Sequence, residues 1–320
     1  MFIDVLIDKI KEKNNPTVVG LDPKIEYVPG FIKEKSYSEF GKNLKGASDA
    51  ILNFNKKIID AVYDIVPAVK PQLAYYEMYG VNGVAAFDET VRYAKGKGLL
   101  VIADGKRNDI GTTAEAYSKA FLGNTQIDEE IFQPAFDVDA LTVNPYLGVD
   151  GIKPFVDDCI KYGKGIFVLV KTSNKSSGQL QDILTKDDTT IFETVASLVT
   201  KWGEENTGKY GYSSIGAVVG ATYPEQAAKL RGILKNSYIL VPGYGAQGGS
   251  SKDAAKSFDK EGLGALVNAS RSIMCAYKSD IWKTTYSEET FDAAARAEAI
   301  RMRDDLNNAI YMERNKSLTL

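Results

Sequence analysis

The chain contains no histidine. Ser-His-Asp and Cys-His catalysis are therefore excluded, and so are histidine-ligated metal centres. General acid or base work falls to Asp, Glu, Lys or Tyr. Cysteine is scarce too. Cys159 and Cys275 stand far apart, so no disulfide framework is implied and a reducing, cytoplasmic setting is expected. No apolar run approaches the length of a membrane span. The first residues, Met1 to Lys13, alternate Phe2, Val5, Leu6 and Ile10 with Asp4, Asp8 and Lys9; they read as a short amphipathic helix and lack a signal peptide's apolar core. An excess of positive charge is also missing. The 39 Lys and Arg against 42 Asp and Glu leave a net charge of −3 and a pI near 5.4. That balance argues against nucleic acid or an anionic membrane as a bulk partner, and leaves room for one local phosphate site.

What is present is a repeated alternation. Short apolar, β-branched runs lie at Thr17–Leu21, Ala68–Gln72, Leu99–Asp104, Ala140–Asn144, Ile166–Thr172, Ile215–Gly220, Tyr238–Pro242 and Ala265–Ala269. Each is too short for a helix and apolar enough to be buried on both faces, as parallel strands are. Helical patterns fall between them, among them Ala50–Ile65, Gly83–Lys95, Ile191–Trp202 and Pro224–Leu234. Eight strands, each followed by a helix, predict an α/β fold, a (β/α)₈ TIM barrel occupying 1–320 as one domain. A doubly wound open sheet is the alternative, because sequence does not show closure. Three segments exceed what the barrel needs: a long first loop, Asp22 to Gly46; an insertion, Gly123 to Val138, with a short helix expected near Glu129–Phe132; and polar Asn174–Asp188, a candidate mobile flap or a plain surface loop. The end of the chain, Ser287 to Arg314, reads as a long amphipathic helix packing on the barrel exterior through Phe291, Ala294, Ile300 and Ile310.

Working residues of barrels sit at the C-terminal ends of strands. The third run stops abruptly at a carboxylate and continues Asp104-Gly105-Lys106-Arg107-Asn108-Asp109-Ile110. Strand alternation aims Asp104 and Lys106 to one side if extension persists through Gly105. With Lys70 from the neighbouring strand they suggest an alternating array, Lys70–Asp104–Lys106–Asp109, in which each opposite pair interacts by roughly 4 kcal/mol at a surface-like dielectric. A structural salt bridge at a strand end is the bland alternative. Near the seventh strand, Gly243, Gly245, Gly248 and Gly249 permit close backbone approach to a phosphate, Gln247 offers an amide, and Arg271 at the end of strand eight offers a bidentate charge-assisted contact.

The third-strand segment Asp104-Gly105-Lys106-Arg107-Asn108-Asp109-Ile110-Gly111-Thr112-Thr113 resembles the Asp-x-Lys-x-x-Asp-Ile-x-x-Thr motif of orotidine 5′-phosphate decarboxylases, in particular the longer type of that family. Gly20-Leu21-Asp22-Pro23, Val69-Lys70-Pro71, Lys171-Thr172-Ser173-Asn174, Val241 to Gly249 and Asn268-Ala269-Ser270-Arg271 match in the family's order. The resemblance implies conversion of orotidine 5′-monophosphate to uridine 5′-monophosphate and carbon dioxide, with no metal and no cofactor. It implies that Asp22 holds a ribose hydroxyl, that Lys70 bridges the ribose to Asp104, that Asp104 sits against the substrate carboxylate, and that Lys106 protonates C6. Asp109 and Thr113 are implied to reach the ribose in the other subunit of a homodimer. Ser173 is implied to bond the pyrimidine, Pro242 to belong to the substrate wall, and Gln247, Arg271 and the backbone of Gly248 and Gly249 to hold the phosphate. Beside it stand a metal-dependent sugar-phosphate lyase or aldolase, which commonly uses a histidine that this chain lacks, and a silent nucleotide-binding barrel. A Schiff-base role for Lys171 and a ligand role for Gln72 stay open.

Overall fold

The computed structural model describes residues 1–245 and 248–318; Ala246 and Gln247 lie outside the described residues. Eight parallel strands close into a barrel: β1 (Thr17–Leu21), β2 (Ala68–Pro71), β3 (Leu100–Arg107), β4 (Ala140–Val143), β5 (Gly165–Lys171), β6 (Ser213–Val219), β7 (Ser237–Val241) and β8 (Ala265–Ala269). Each pairs with its neighbours in chain order, and β1 pairs with both β2 and β8, so the sheet is closed and the open-sheet alternative falls.

Alternation along the strands sets what the barrel holds. One parity, including Val19, Val69, Val101, Ala103, Leu141, Val168, Ala217, Ile239 and Val267, packs outward in the layer shared with the helices. The other parity points in. Its lower positions are apolar: Val18, Ala68, Leu100, Ile102, Ala140, Phe167, Tyr238, Leu240 and Leu266 form one buried cluster. The N-terminal helix Phe2–Lys13 joins that cluster through Phe2, Ile3, Leu6, Ile7 and Ile10. It therefore plugs one end of the barrel, and the opposite end, at the strands' C-termini, is left for the site. At that end the same inward parity turns polar: Lys70 follows Ala68, Asp104 follows Ile102, Thr142 follows Ala140 and Asn268 follows Leu266.

The long C-terminal helix, Phe291–Leu318, lies outside the barrel as the sequence suggested. Phe291 stacks on Phe54 at 5.2 Å between ring centres, Ala294 and Ile310 are buried, and Ile300 is partly buried. Arg296 binds Asp64 at 2.6 Å, and Asn307 donates to the carbonyl of Asn14 at 2.8 Å, so the end of the chain clamps its beginning.

The loops depart from expectation in two places, and the third is given its local structure. The segment 22–46 is not all loop, since Gly30–Phe40 is helical. The insertion 123–138 carries no helix at 129–132; Thr125–Gln126 and Phe132–Gln133 pair as a small antiparallel ribbon, a pattern too short for periodicity to reveal. The segment 174–188 is folded on itself around a 3₁₀ turn, Lys175–Gln179, and is tied to the next helix by Phe192 N–H to Gln181 O at 3.0 Å and Ile191 N–H to Ile183 O at 3.0 Å.

Candidate active site

Asp104 is the centre of the polar end of the barrel. It is 8% exposed and ends the apolar part of β3. Its Oδ2 accepts from Lys70 Nζ at 2.6 Å and its Oδ1 from Lys106 Nζ at 2.6 Å. Thr142 Oγ1 donates to the same Oδ1 at 2.9 Å and accepts the Lys106 backbone N–H at 3.0 Å. One carboxylate is thus shared by two ammonium groups on adjacent strands.

The backbone of β3 is shaped for this. Its register against β4 shifts between Ala103 and Arg107, and Lys106 has φ +46°. A left-handed lysine in a strand is sparsely populated and costs roughly 1–3 kcal/mol. Extension therefore does not continue through Gly105 as simple alternation assumes. The irregularity nevertheless brings the Lys106 ammonium back onto Asp104.

Burial and charge set the protonation states. Burial pushes the Asp104 carboxyl upward, but Lys70 and Lys106 outweigh it and hold the group far below the ordinary carboxylate range. Lys70 is 3% exposed; burial pushes its pKa down, while Asp104 and then Asp22 more than offset that and leave it raised. A fixed anion and a fixed cation thus face the cavity at neutral pH.

That cavity is about 590 Å³, within the range of small-molecule sites. Asp22, Lys70, Gln72, Asp104, Lys106 and Thr142 line one side. Ser173, Pro242, Gly243 and Arg271 line the other, over a floor of Leu169, Val218 and Leu240. Two acceptors in its wall, Asp22 Oδ1 and Asn268 Oδ1, are buried with no hydrogen-bond partner among the described residues. Gly20 admits the close packing beneath Asn268: a Cβ there would stand 1.9 Å from Ser270 Oγ and 3.0 Å from Asn268 Oδ1.

With this geometry in hand, comparison with known proteins is decisive. A profile of the orotidine 5′-phosphate decarboxylase / HUMPS family matches residues 18–280. The orotidine 5′-phosphate decarboxylase of Rhodopirellula baltica is 46% identical over 91% of this chain and 93% of its own. The chain belongs to the orotidine 5′-phosphate decarboxylase family. The decarboxylase of Caldicellulosiruptor saccharolyticus is 44% identical over 97% of this chain and 99% of its own. Among solved structures, OMP decarboxylase from Leishmania donovani superposes with a TM-score of 0.71 at 28% identity, covering 97% of this chain and 99% of that one.

Within this decarboxylase-family chain the residues singled out by sequence fall into three groups. Lys70, Asp104 and Lys106 are brought together with Asp22, Ser173, Pro242 and Arg271 around one cavity. Asp109 and Thr113 are not among the residues that line it, so the four-charge array is not closed within one chain. The turn that follows Lys106 carries Asp109 away; its Oδ1 accepts the N–H of Ile110 at 2.8 Å, and Thr113 is exposed on the helix Gly111–Phe121. The third group is the glycine loop. Gly248 N–H donates to Gly245 O at 2.9 Å and Gly249 N–H to Gly243 O at 3.1 Å, so both amides are used inside the loop rather than presented to a phosphate. Gly249 is needed for that closure, since a Cβ would stand 2.6 Å from Ala221 Cβ. Gln247 lies outside the described residues.

Sequence reading missed Thr142 and Asn268 as site residues. The signal was available: both lie on the inward parity of their strands, one step above an apolar inward residue. Lys171 is absent from the residues that line the cavity, and its ammonium lies against Asp182 and Tyr223 instead.

Proposed function

We propose that this chain decarboxylates orotidine 5′-monophosphate to uridine 5′-monophosphate and carbon dioxide, the closing step of uridylate synthesis, in the cytoplasm. The observation that carries the reading is the buried Asp104 held between the Lys70 and Lys106 ammonium groups at the cavity wall. The bond between C6 and the carboxylate breaks, carbon dioxide leaves, and the electron pair stays on C6. Lys106 Nζ delivers a proton to that carbon. The pair develops where a fixed positive charge already stands, so stabilisation is greater in the transition state than in the bound substrate. Asp104, beside the departing carboxylate, repels it while keeping both ammonium groups in place. Neither metal nor cofactor takes part in the proposed sequence.

Asp22, in the cavity wall, takes a ribose hydroxyl, and Lys70 bridges the ribose to Asp104. Ser173 meets the pyrimidine and Pro242 belongs to the same wall. Arg271 holds the phosphate, with Gln247, Gly248 and Gly249 joining once the glycine loop exchanges its internal bonds for phosphate contacts. Arg271→Ala should raise KM about 10- to 100-fold, the loss of one or two hydrogen bonds to a charged group. Steady-state kinetics would read it, and an unchanged KM would remove Arg271 from the phosphate site.

Asp109 and Thr113 act on the ribose in the site of a second copy of the chain. Exposed Ile110 follows Asp109 in sequence, and the packing at Gly151 brings exposed Leu147, with Tyr146 and Val149 beside it, near the Asp109 backbone; together they supply apolar surface for a homodimer. Mixing an inactive Lys106→Ala protein with an inactive Asp109→Ala protein should then restore up to about a quarter of wild-type activity at random exchange, since one hybrid site escapes both lesions. No recovery despite proven exchange would place Asp109 outside the neighbouring site.

The reaction is tested by NMR of orotidine 5′-monophosphate incubated with the protein in D₂O. Uridine 5′-monophosphate carrying deuterium at C6, with release of the carboxylate carbon, is the expected result. Unchanged substrate would reject the function.

A further inference from the structure

Lys171 is a fully buried lysine that the proposed reaction does not use. Alternation along β5 would aim it into the barrel after Phe167 and Leu169. A register shift against β6 between Leu169 and Lys171 interrupts that alternation, and the side chain meets the helix layer instead. There its ammonium lies 2.6 Å from Asp182 Oδ1 and 3.2 Å from Ser177 Oγ, with the Tyr223 ring centre at 4.6 Å and that of Phe192 at 5.6 Å.

Ser177 and Asp182 both belong to the polar segment 174–188. Gln181, beside Asp182, returns to the strand end: its Oε1 accepts the Thr172 N–H at 3.0 Å and its Nε2 donates to Thr172 Oγ1 at 2.8 Å. Thr172 Oγ1 in turn donates to Asn174 Oδ1 at 2.6 Å, and Tyr223 Oη donates to the Asn174 carbonyl at 3.3 Å. Thr172, Ser173 and Asn174 all line the substrate cavity. A buried ammonium is costly to leave unpaired, so the segment cannot lift away from β5 without stranding it.

We propose that Lys171 and Asp182 are positioning residues for the base-binding side of the site. They pin the segment 174–188 from outside the barrel and, through Gln181, fix Thr172, Ser173 and Asn174 at the cavity edge. This rests on the decarboxylase reading, in which Ser173 meets the pyrimidine. The placement of the segment then sets affinity for the base, while Arg271 and the glycine loop, on later strands, meet the phosphate.

The test uses two ligands, uridine 5′-monophosphate, which carries the base, and ribose 5-phosphate, which does not. Lys171→Met keeps the buried chain and removes its charge, and Asp182, 46% exposed, falls back on water. Gln181→Ala cuts the link to Thr172 and leaves the ion pair alone, so it serves if the first variant fails to fold. Calorimetric titration should show uridine 5′-monophosphate binding weakened on the order of tenfold or more in each, as a small misplacement of a contact does. Ribose 5-phosphate should bind as in the wild type, and kcat/KM for orotidine 5′-monophosphate should fall with the nucleotide affinity. Equal weakening of both ligands would mean a general loss of structure and overturn the positioning role, as would unchanged nucleotide affinity in both variants. Wild-type protein that fails to decarboxylate at all would instead overturn the underlying function, so the two failures are separable.

Discussion

Lys106→Ala should lower turnover by at least about a thousandfold, because it removes both the proton donor and a fixed charge at the reacting carbon. The fold should survive. Lys106 is 44% exposed at its side chain, and Asp104 keeps Lys70 and Thr142 after the loss. Substrate affinity should change far less than turnover, since phosphate and base contacts are elsewhere in the cavity. Single-turnover kinetics separates the two quantities. Substantial residual turnover from folded protein would remove Lys106 from proton delivery.

Asp104→Asn should be the more damaging change to stability. It leaves the Lys70 ammonium, 3% exposed, without its hydrogen-bonded carboxylate and with the weaker field of Asp22 in compensation. Removing one partner of a buried pair costs about 3–5 kcal/mol. The pH dependence has a definite sign. The Asp104 pKa is depressed in the folded chain, so its contribution is fully present above the unfolded value of about 3.9 and is lost as pH falls through the folded value. The Lys70 pKa is raised, so its contribution is fully present below the unfolded value of about 10.4 and is lost as pH rises through the folded one. The wild-type advantage over the variant should therefore be greatest across the neutral range and narrow towards either extreme. Urea unfolding at several pH values reads this directly. A variant as stable as the wild type at neutral pH would show that the charge pair does not hold the strand ends together.

Much of this arrangement is legible in the sequence because strands impose a parity. Asp104 and Lys70 stand on the inward parity of their strands, and their position after an apolar run marks the end of the barrel that binds ligand. Thr142 and Asn268 obey the same rule and were within reach of it. What parity cannot supply is its own interruption. The register shift at Lys106, with its left-handed backbone, and the one at Lys171 each re-aim a lysine, and neither leaves a mark in local composition. One lysine is thereby kept in the cavity and the other turned out of it. The charge and spacing of Asp109 suggest a place in the array beside Lys106, but spacing does not say in which copy's site it acts; after the turn at 108–110 it is not among the residues that line this chain's cavity. The glycines of the seventh loop permit close backbone approach to a phosphate, but glycine content does not say which acceptors the amides take, and here Gly248 and Gly249 donate to the carbonyls of Gly245 and Gly243.

The most direct test of the central claim is the absorbance of orotidine 5′-monophosphate mixed with purified protein in the presence of EDTA. Steady loss of the orotate band, with uridine 5′-monophosphate as product, is the expected result. It would establish the reaction and exclude dependence on a chelatable metal in one measurement. An unchanged spectrum from folded protein at ample concentration would contradict the decarboxylase assignment for this chain, and activity that appears only when magnesium replaces the chelator would point to metal-dependent chemistry instead.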